Sequence, residues 1–352
     1  MSLPKPFSQF MREALYEEHR GYYMSERDKF GAEGDFYTAS QVHKLFGSLL
    51  AKEFDGVWRA LDSPIDFTIV ELGPGRGEFA RDALSTLRVE FPDCFRRLRY
   101  ICCEISPVLR SKQRASLAEF ENRVDWIVSL DELTSPVTGV FFANEFFDAL
   151  PVHVVRWRSG RLREVYVVRR DDGRLVCRED ELSSTRLEDY WERVGSQLSE
   201  EQLAEINIDA VEWMERIALR LQRGRVITID YGDIAERLYT DERPNGTLRC
   251  FSRHWISDEP LESIGEQDIT ASVNFTALME YGRDFGLEVL SFARQTDHLI
   301  GLGLLDRAAA LSVKAAQGHE SSQELQRRLA LKQLFVPEGM SSHFRVLVQE
   351  KR

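Results

Sequence analysis

The chain has 352 residues, is 43% apolar and carries a formal charge of −12, which suffices for one large core with insertions and disfavours nonspecific contact with nucleic acid or anionic lipid. A small-molecule or basic protein partner suits that balance better. No stretch approaches the ~20 apolar residues of a membrane helix, and MSLPKPFSQF lacks a basic region followed by an apolar one, so the expected compartment is the cytoplasm; five cysteines without CxxC spacing predict reduced thiols and no metal site.

Along the chain, FSQFMREALYEEHRGYY and GDFYTAS come first. Their apolar residues, Phe10, Met11 and Leu15 among them, predict a helical cap over residues 1–62 that seats on the core. Gly34 would let the next loop bend, bringing Asp35, Phe36 and Thr38 to a bound ligand. DFTIVELGPGRGEF follows, where Phe67, Ile69, Val70 and Leu72 read as a buried strand, Gly73, Gly75 and Gly77 as a tight turn, and the residues from Glu78 as a helix. Further strands are predicted at Leu98 to Ser106, Val124 to Val128 and Gly139 to Glu145, with a helix from Pro107 to Phe120. This alternation is that of a parallel sheet with crossover helices, its first part over 63–150. Residues 151–224 change character: VHVVRWRSGRLREVYVV alternates around Ser159-Gly160 as a hairpin does, and an acidic helical stretch follows, so this part reads as an insertion. The remainder, 225–352, returns to the sheet with strands at Arg225 to Gly232, Gly286 to Ala293 and His343 to Glu350, for seven in all. A helix is expected from Asp306 to Leu334.

A strand, a glycine loop and a helix N-terminus form a site where backbone N–H groups meet a polar or anionic ligand. Gly75, Gly77 and Ala80 satisfy the dinucleotide spacing G-x-G-x-x-A, while Gly73, Gly75 and Gly77 satisfy the G-x-G-x-G of S-adenosylmethionine enzymes. In either case an acid at the end of the second strand should accept hydrogen bonds from ribose hydroxyls, and Glu104 stands there. Glu71 precedes the loop as a second acidic candidate. A turn serving only strand-to-helix packing is the plain alternative.

ELGPGRGEFARDAL, EISPVLRSKQ, ANEFFDALPVH, IDYGD and QDITASVNF resemble, in order, motifs of the MidA family of S-adenosylmethionine-dependent methyltransferases. GYY and GDFYTAS near the start and GMSSHFRVL near the end extend the likeness over nearly the whole chain. It implies a class I, Rossmann-like methyltransferase fold, bound S-adenosylmethionine, and methylation of a protein, an arginine by analogy with the family's mitochondrial member. Ala39-Ser40, Asn274 and Ser341 depart from the family's usual residues, at positions away from the glycine loop and Glu104.

An arginine nucleophile keeps its charge at neutral pH, so carboxylates beside it would offset repulsion from a sulfonium and fix its plane. Glu145 and Asp148, with the adjoining Asn144, follow the fourth strand, at the end where open α/β sheets place ligands, and are the catalytic candidates. Capping of the turn before Pro151 is the structural alternative for Asp148. His254 is a further candidate, more often a structural histidine in such a setting. Asp230 and Tyr231 end a core strand, Asp268 and Thr270 line a channel or cap a helix, and Trp126 borders an adenine or packs in the core. Two other classes remain open: a nicotinamide-dependent oxidoreductase, and a catalytically silent scaffold that binds cofactor and partner.

Overall fold

The computed structural model describes residues 3–25, 44–252, 255–309 and 343–352. Two compact units emerge, one built from Tyr37–Glu145, Ile217–Asp230 and Gly286–Arg352, the other from Met1–Phe36, Phe146–Arg216 and Tyr231–Phe285.

The first unit holds the strands β1 (Phe67–Leu72), β2 (Leu98–Cys103), β3 (Val124–Ile127), β4 (Val137–Asn144), β5 (Leu221–Asp233), β6 (Glu288–Arg294) and β7 (Phe344–Lys351). Their order across the sheet is β6-β7-β5-β4-β1-β2-β3. β1 to β5 run parallel, and β6 pairs antiparallel with β7. All seven expected strands are present, and the two-residue strand Val273–Asn274 adds an eighth beside the Gly232–Asp233 end of β5. β1 is apolar on both faces because both are covered. On one side the helices Lys44–Ala60 and Glu78–Glu90 pack together, and Phe79 stacks on Phe142 of β4 with centroids 4.5 Å apart while Phe54 meets Phe142 edge-on. Successive strands move outward from β1 to β3, and the chain then returns to the opposite side of β1 with β4. The carboxyl ends of β1 and β4 therefore flank the point where strand order reverses, which is where such sheets open a ligand crevice.

Two glycines set how closely these strands approach. Gly139 of β4 lies opposite Thr68 of β1 and Gly224 of β5. Their φ values are 153° and 141°, and a Cβ on Gly139 would sit 1.9 Å from the Thr68 carbonyl oxygen, one on Gly224 1.9 Å from the Gly139 oxygen. No side chain fits either place.

In the second unit, Lys5–Pro6, His153–Arg158, Arg161–Arg169, Leu175–Asp180 and Leu203–Ile206 form an antiparallel sheet, and Arg249–Ser252 pairs with Trp255–Ser257 and Asp268–Thr270 in a smaller one. The hairpin expected around Ser159-Gly160 closes with Arg158 opposite Arg161, both turn residues at positive φ (50° and 79°) as a two-residue turn of matching twist requires. Helix Phe7–Tyr16 buries Phe7, Phe10, Met11, Ala14 and Leu15 against Val152, Val154, Val165 and Val167 of this unit. The amino-terminal segment is thus not one cap. Its first helix completes the hydrophobic cluster of the antiparallel unit, while Lys44–Ala60 packs on the parallel sheet's unit.

Replacing Gly139 by Ala should cost about 3 kcal/mol or more, because a backbone oxygen cannot move aside. Denaturant unfolding checks this; a loss below ~1 kcal/mol would show that β1 and β4 can separate without penalty.

Candidate functional site

Beyond Leu72 the chain must turn sharply to enter the helix Glu78–Glu90, and it does so through three left-handed residues, Gly73 (φ 61°), Gly75 (φ 53°) and Gly77 (φ 77°), the last being the helix N-cap. The Gly73 N–H donates to the Cys103 carbonyl at 3.0 Å, and the Gly77 N–H to the Pro74 carbonyl at 2.8 Å. One bond ties the loop to β2; the other closes the turn.

Glu104 follows β2 and is 6% exposed. The Ser106 backbone N–H donates to its Oε1 at 2.8 Å, a local bond, since Ser106 also caps the helix Pro107–Ser116. Gln113, one face of that helix inward and fully buried, donates Nε2 both to Glu104 Oε2 (3.3 Å) and to the Gly75 carbonyl (2.8 Å), while its Oε1 accepts the Trp126 indole N–H at 3.1 Å. One amide thereby joins the glycine loop, the acid after β2 and the strand β3. Burial raises the Glu104 carboxyl to about 7, against the stabilising bonds from Ser106 and Gln113. Glu71, on β1, is raised further, to about 8, by burial and then by the neighbouring Glu104, the Tyr100 hydroxyl at 2.7 Å pulling the other way.

Gln113 was not singled out from the sequence. A glutamine on an apparently amphipathic helix carries no signal of its own, and only its coincidence with EISPVLRSKQ, a motif, hints at a role. Ile105 and Val128 were missed too. They follow β2 and β3 and leave 52% and 44% of their surface exposed, apolar surface of the kind that suits a purine face. Trp126 is half-buried, with the Arg114 guanidinium 4.2 Å above its ring centroid.

Asn144 is the last residue of β4, and Glu145, next to it, takes a left-handed conformation (φ 51°) with its backbone N–H on the Ile229 carbonyl at 2.9 Å. A glutamate there is strained, a feature that concentrates at working sites. Asp148 belongs to the antiparallel unit, is 6% exposed, and its carbonyl accepts the Ala271 N–H at 3.0 Å. Asp230 is fully buried and Tyr231 half-buried, both inside β5 rather than at its end, since that strand runs on to Asp233. Asp268 and Thr270 lie in a strand, with the Tyr23 hydroxyl donating to Asp268 Oδ2 at 2.9 Å. Helix capping falls to Asn274 instead: its Oδ1 accepts the Ala277 N–H at 3.3 Å, and its Nδ2 donates to the buried Val194 carbonyl at 2.9 Å. An aspartate could make the first bond but not the second. Gly34, Asp35, Phe36, Thr38, Ala39, Ser40, His254 and Ser341 lie outside the described residues, as does most of the expected helix after Asp306.

Residues 49–293 match the family of S-adenosyl-L-methionine-dependent methyltransferases. The mitochondrial protein arginine methyltransferase NDUFAF7 homolog of Drosophila melanogaster is 32% identical over 301 residues, 77% of this chain and 65% of that protein, so the chain spans slightly under two thirds of that relative. The Rattus norvegicus protein arginine methyltransferase NDUFAF7 is 29% identical over 379 residues, covering 99% and 82%. A COG1565 superfamily member from Burkholderia thailandensis, solved with S-adenosyl-homocysteine bound, superposes with a TM-score of 0.88 at 28% identity, covering 99% of this chain and 88% of that one. Of the two cofactors that the glycine spacing leaves open, the adenosyl one is thereby selected, and the residues fit it: left-handed glycines for close approach, a buried acid for the ribose diol, apolar surface beside it.

Glu104 and Glu71 hold a proton more tightly in the folded protein than in the unfolded chain, where glutamate titrates near ~4.3. The stability they contribute is complete below that value and declines as pH rises through about 7 and about 8. A diol donates best to an ionised carboxylate, so binding has the opposite slope. 5′-Methylthioadenosine, which keeps the diol and has no group titrating in this range, should bind roughly fivefold to tenfold more tightly at pH 8 than at pH 6. Glu104→Gln should bind weakly and lose most of that slope in calorimetry; a variant with the wild-type profile would remove Glu104 from the diol. Separately, Asn274→Asp should lower stability by about 2 kcal/mol through the undonated Val194 carbonyl, measured by urea unfolding.

Proposed function

Because the chain belongs to the MidA family of S-adenosyl-L-methionine-dependent methyltransferases, we propose that it methylates a protein, and that the acceptor is an arginine guanidinium. The observation carrying this reading is the strained Glu145, a carboxylate that follows β4 one residue past the position level with Gly73. Relatives named as protein arginine methyltransferases support it.

Bound S-adenosyl-L-methionine supplies an electrophilic methyl carbon on a cationic sulfonium. Two things then fall to the protein. A guanidinium nitrogen must be held ~3–3.5 Å from that carbon and in line with the carbon–sulfur bond, and the repulsion between two cations must be offset. Glu145 serves the second need, placing a negative charge beside the guanidinium and taking up the proton that the nitrogen releases as the nitrogen–carbon bond forms. Gly73, Gly75 and Gly77 allow the backbone to approach the ligand; Glu104, braced by Ser106 and Gln113, fixes the ribose.

Transfer of labelled methyl into a lysate from a deletion strain, read by mass spectrometry, should mark arginine in a protein product. Glu145→Gln should keep its affinity for S-adenosyl-homocysteine while slowing transfer about 10²-fold or more. Label on another residue type would overturn the arginine reading, full turnover in the variant the role of the carboxylate, and a lysate without label would favour a silent scaffold.

A further inference from the structure

Asn144 stands at the junction of three strands. The residue before it, Ala143, pairs with Leu72 of β1, so Asn144 comes level with Gly73, and on its other side it pairs with Ile229 of β5. Its Nδ2 donates to Glu145 Oε1 at 3.1 Å. A carboxylate only accepts, so this bond settles which end of the amide faces Glu145. Oδ1 is turned the other way. It is buried, and among the described residues no donor reaches it.

An amide oxygen shut away from water without a donor costs about 1–3 kcal/mol, and such deficits mark places where a ligand supplies the missing group. We propose that Asn144 Oδ1 accepts an N–H of the nitrogen that is methylated. The inference rests on the arginine reading above and goes beyond it by assigning direction to the attack. The electron pair of a guanidinium nitrogen lies perpendicular to the guanidinium plane, whereas its N–H bonds lie in that plane. An acceptor holding one N–H in the plane therefore turns the perpendicular lobe toward a carbon above it. The nitrogen–carbon bond forms as the carbon–sulfur bond breaks, the sulfur leaves as a neutral thioether with the bonding pair, and the displaced proton passes to the Glu145 carboxylate. Charge and direction are thus divided between neighbours: the carboxylate neutralises, and the uncharged amide orients. The left-handed backbone at Glu145 keeps the two side chains at the end of β4.

The test compares two adenosine derivatives, one whose 5′ carbon carries an alkylguanidine and one carrying an isobutyl group of similar size without N–H donors. Wild type should bind the guanidine compound about tenfold more tightly than the isobutyl one. Asn144→Ala should cut that preference to about twofold or less, with affinities for S-adenosyl-homocysteine and 5′-methylthioadenosine unchanged. Thermal unfolding of Asn144→Ala close to that of wild type guards against loss of fold. An undiminished preference in Asn144→Ala would overturn the assignment while leaving the arginine reading standing. Weaker S-adenosyl-homocysteine but unchanged 5′-methylthioadenosine binding would instead give Oδ1 to the cofactor's amino group. No preference in wild type would overturn both readings.

Discussion

A carboxyl group cannot be buried at the end of a strand without donors, and the arrangement of the cofactor edge follows from how Glu104 meets that constraint. Its donors come from the next turn and from the next helix, Ser106 and Gln113. Because the same Gln113 amide also holds the Gly75 carbonyl and the Trp126 indole, satisfying Glu104 fixes the glycine loop and β3 at the same time. Even so braced, burial keeps the group near neutrality in its proton affinity. An ionised Glu104 is therefore only partly compensated by its protein donors.

On the other side of β1 the controlling feature is backbone proximity. Gly139 lets β4 come up to β1, and Gly224 lets β5 come up to β4, with no side chain between, and register then decides which residues end level with the glycine loop. Those residues are Asn144 and the strained Glu145. The sheet's carboxyl edge is divided by this geometry: β1, β2 and β3 lead into the glycine loop, Glu104 and Val128, and the end of β4 presents a carboxylate and an amide oxygen that no described residue donates to. The segment joining β4 to β5 supplies much of the antiparallel unit, so one chain excursion separates these two strands in sequence while leaving their pairing intact.

Local order was readable wherever local physics suffices. Apolar runs located the strands at the centre of the sheet, since a strand covered on both faces is apolar on both; β5 started at Leu221 rather than Arg225 because its first residues gain pairing with Val137 and Thr138, which no local pattern reveals. The hairpin at Ser159-Gly160 was legible for the same reason: its turn depends on two residues alone. DIT was not. As a three-residue segment it suits a cap or a strand, and pairing with Arg249 to Phe251 made it a strand.

What the amino-acid order determined by itself was the alternation of strand and helix, the left-handed glycine turn, and an acid placed to follow the second strand, all of them matters of neighbours in sequence. The tertiary structure alone decided the rest. Gln113 became the hub because folding carried Gly75 and Trp126 to it, Asn274 became a cap with a second bond because Val194 arrived from 80 residues away, and helix Phe7–Tyr16 found its apolar partners in the distant hairpin rather than in the nearer glycine-loop unit. Each depends on where a remote donor, carbonyl or apolar face comes to lie, and burial makes those remote partners obligatory without naming them in advance.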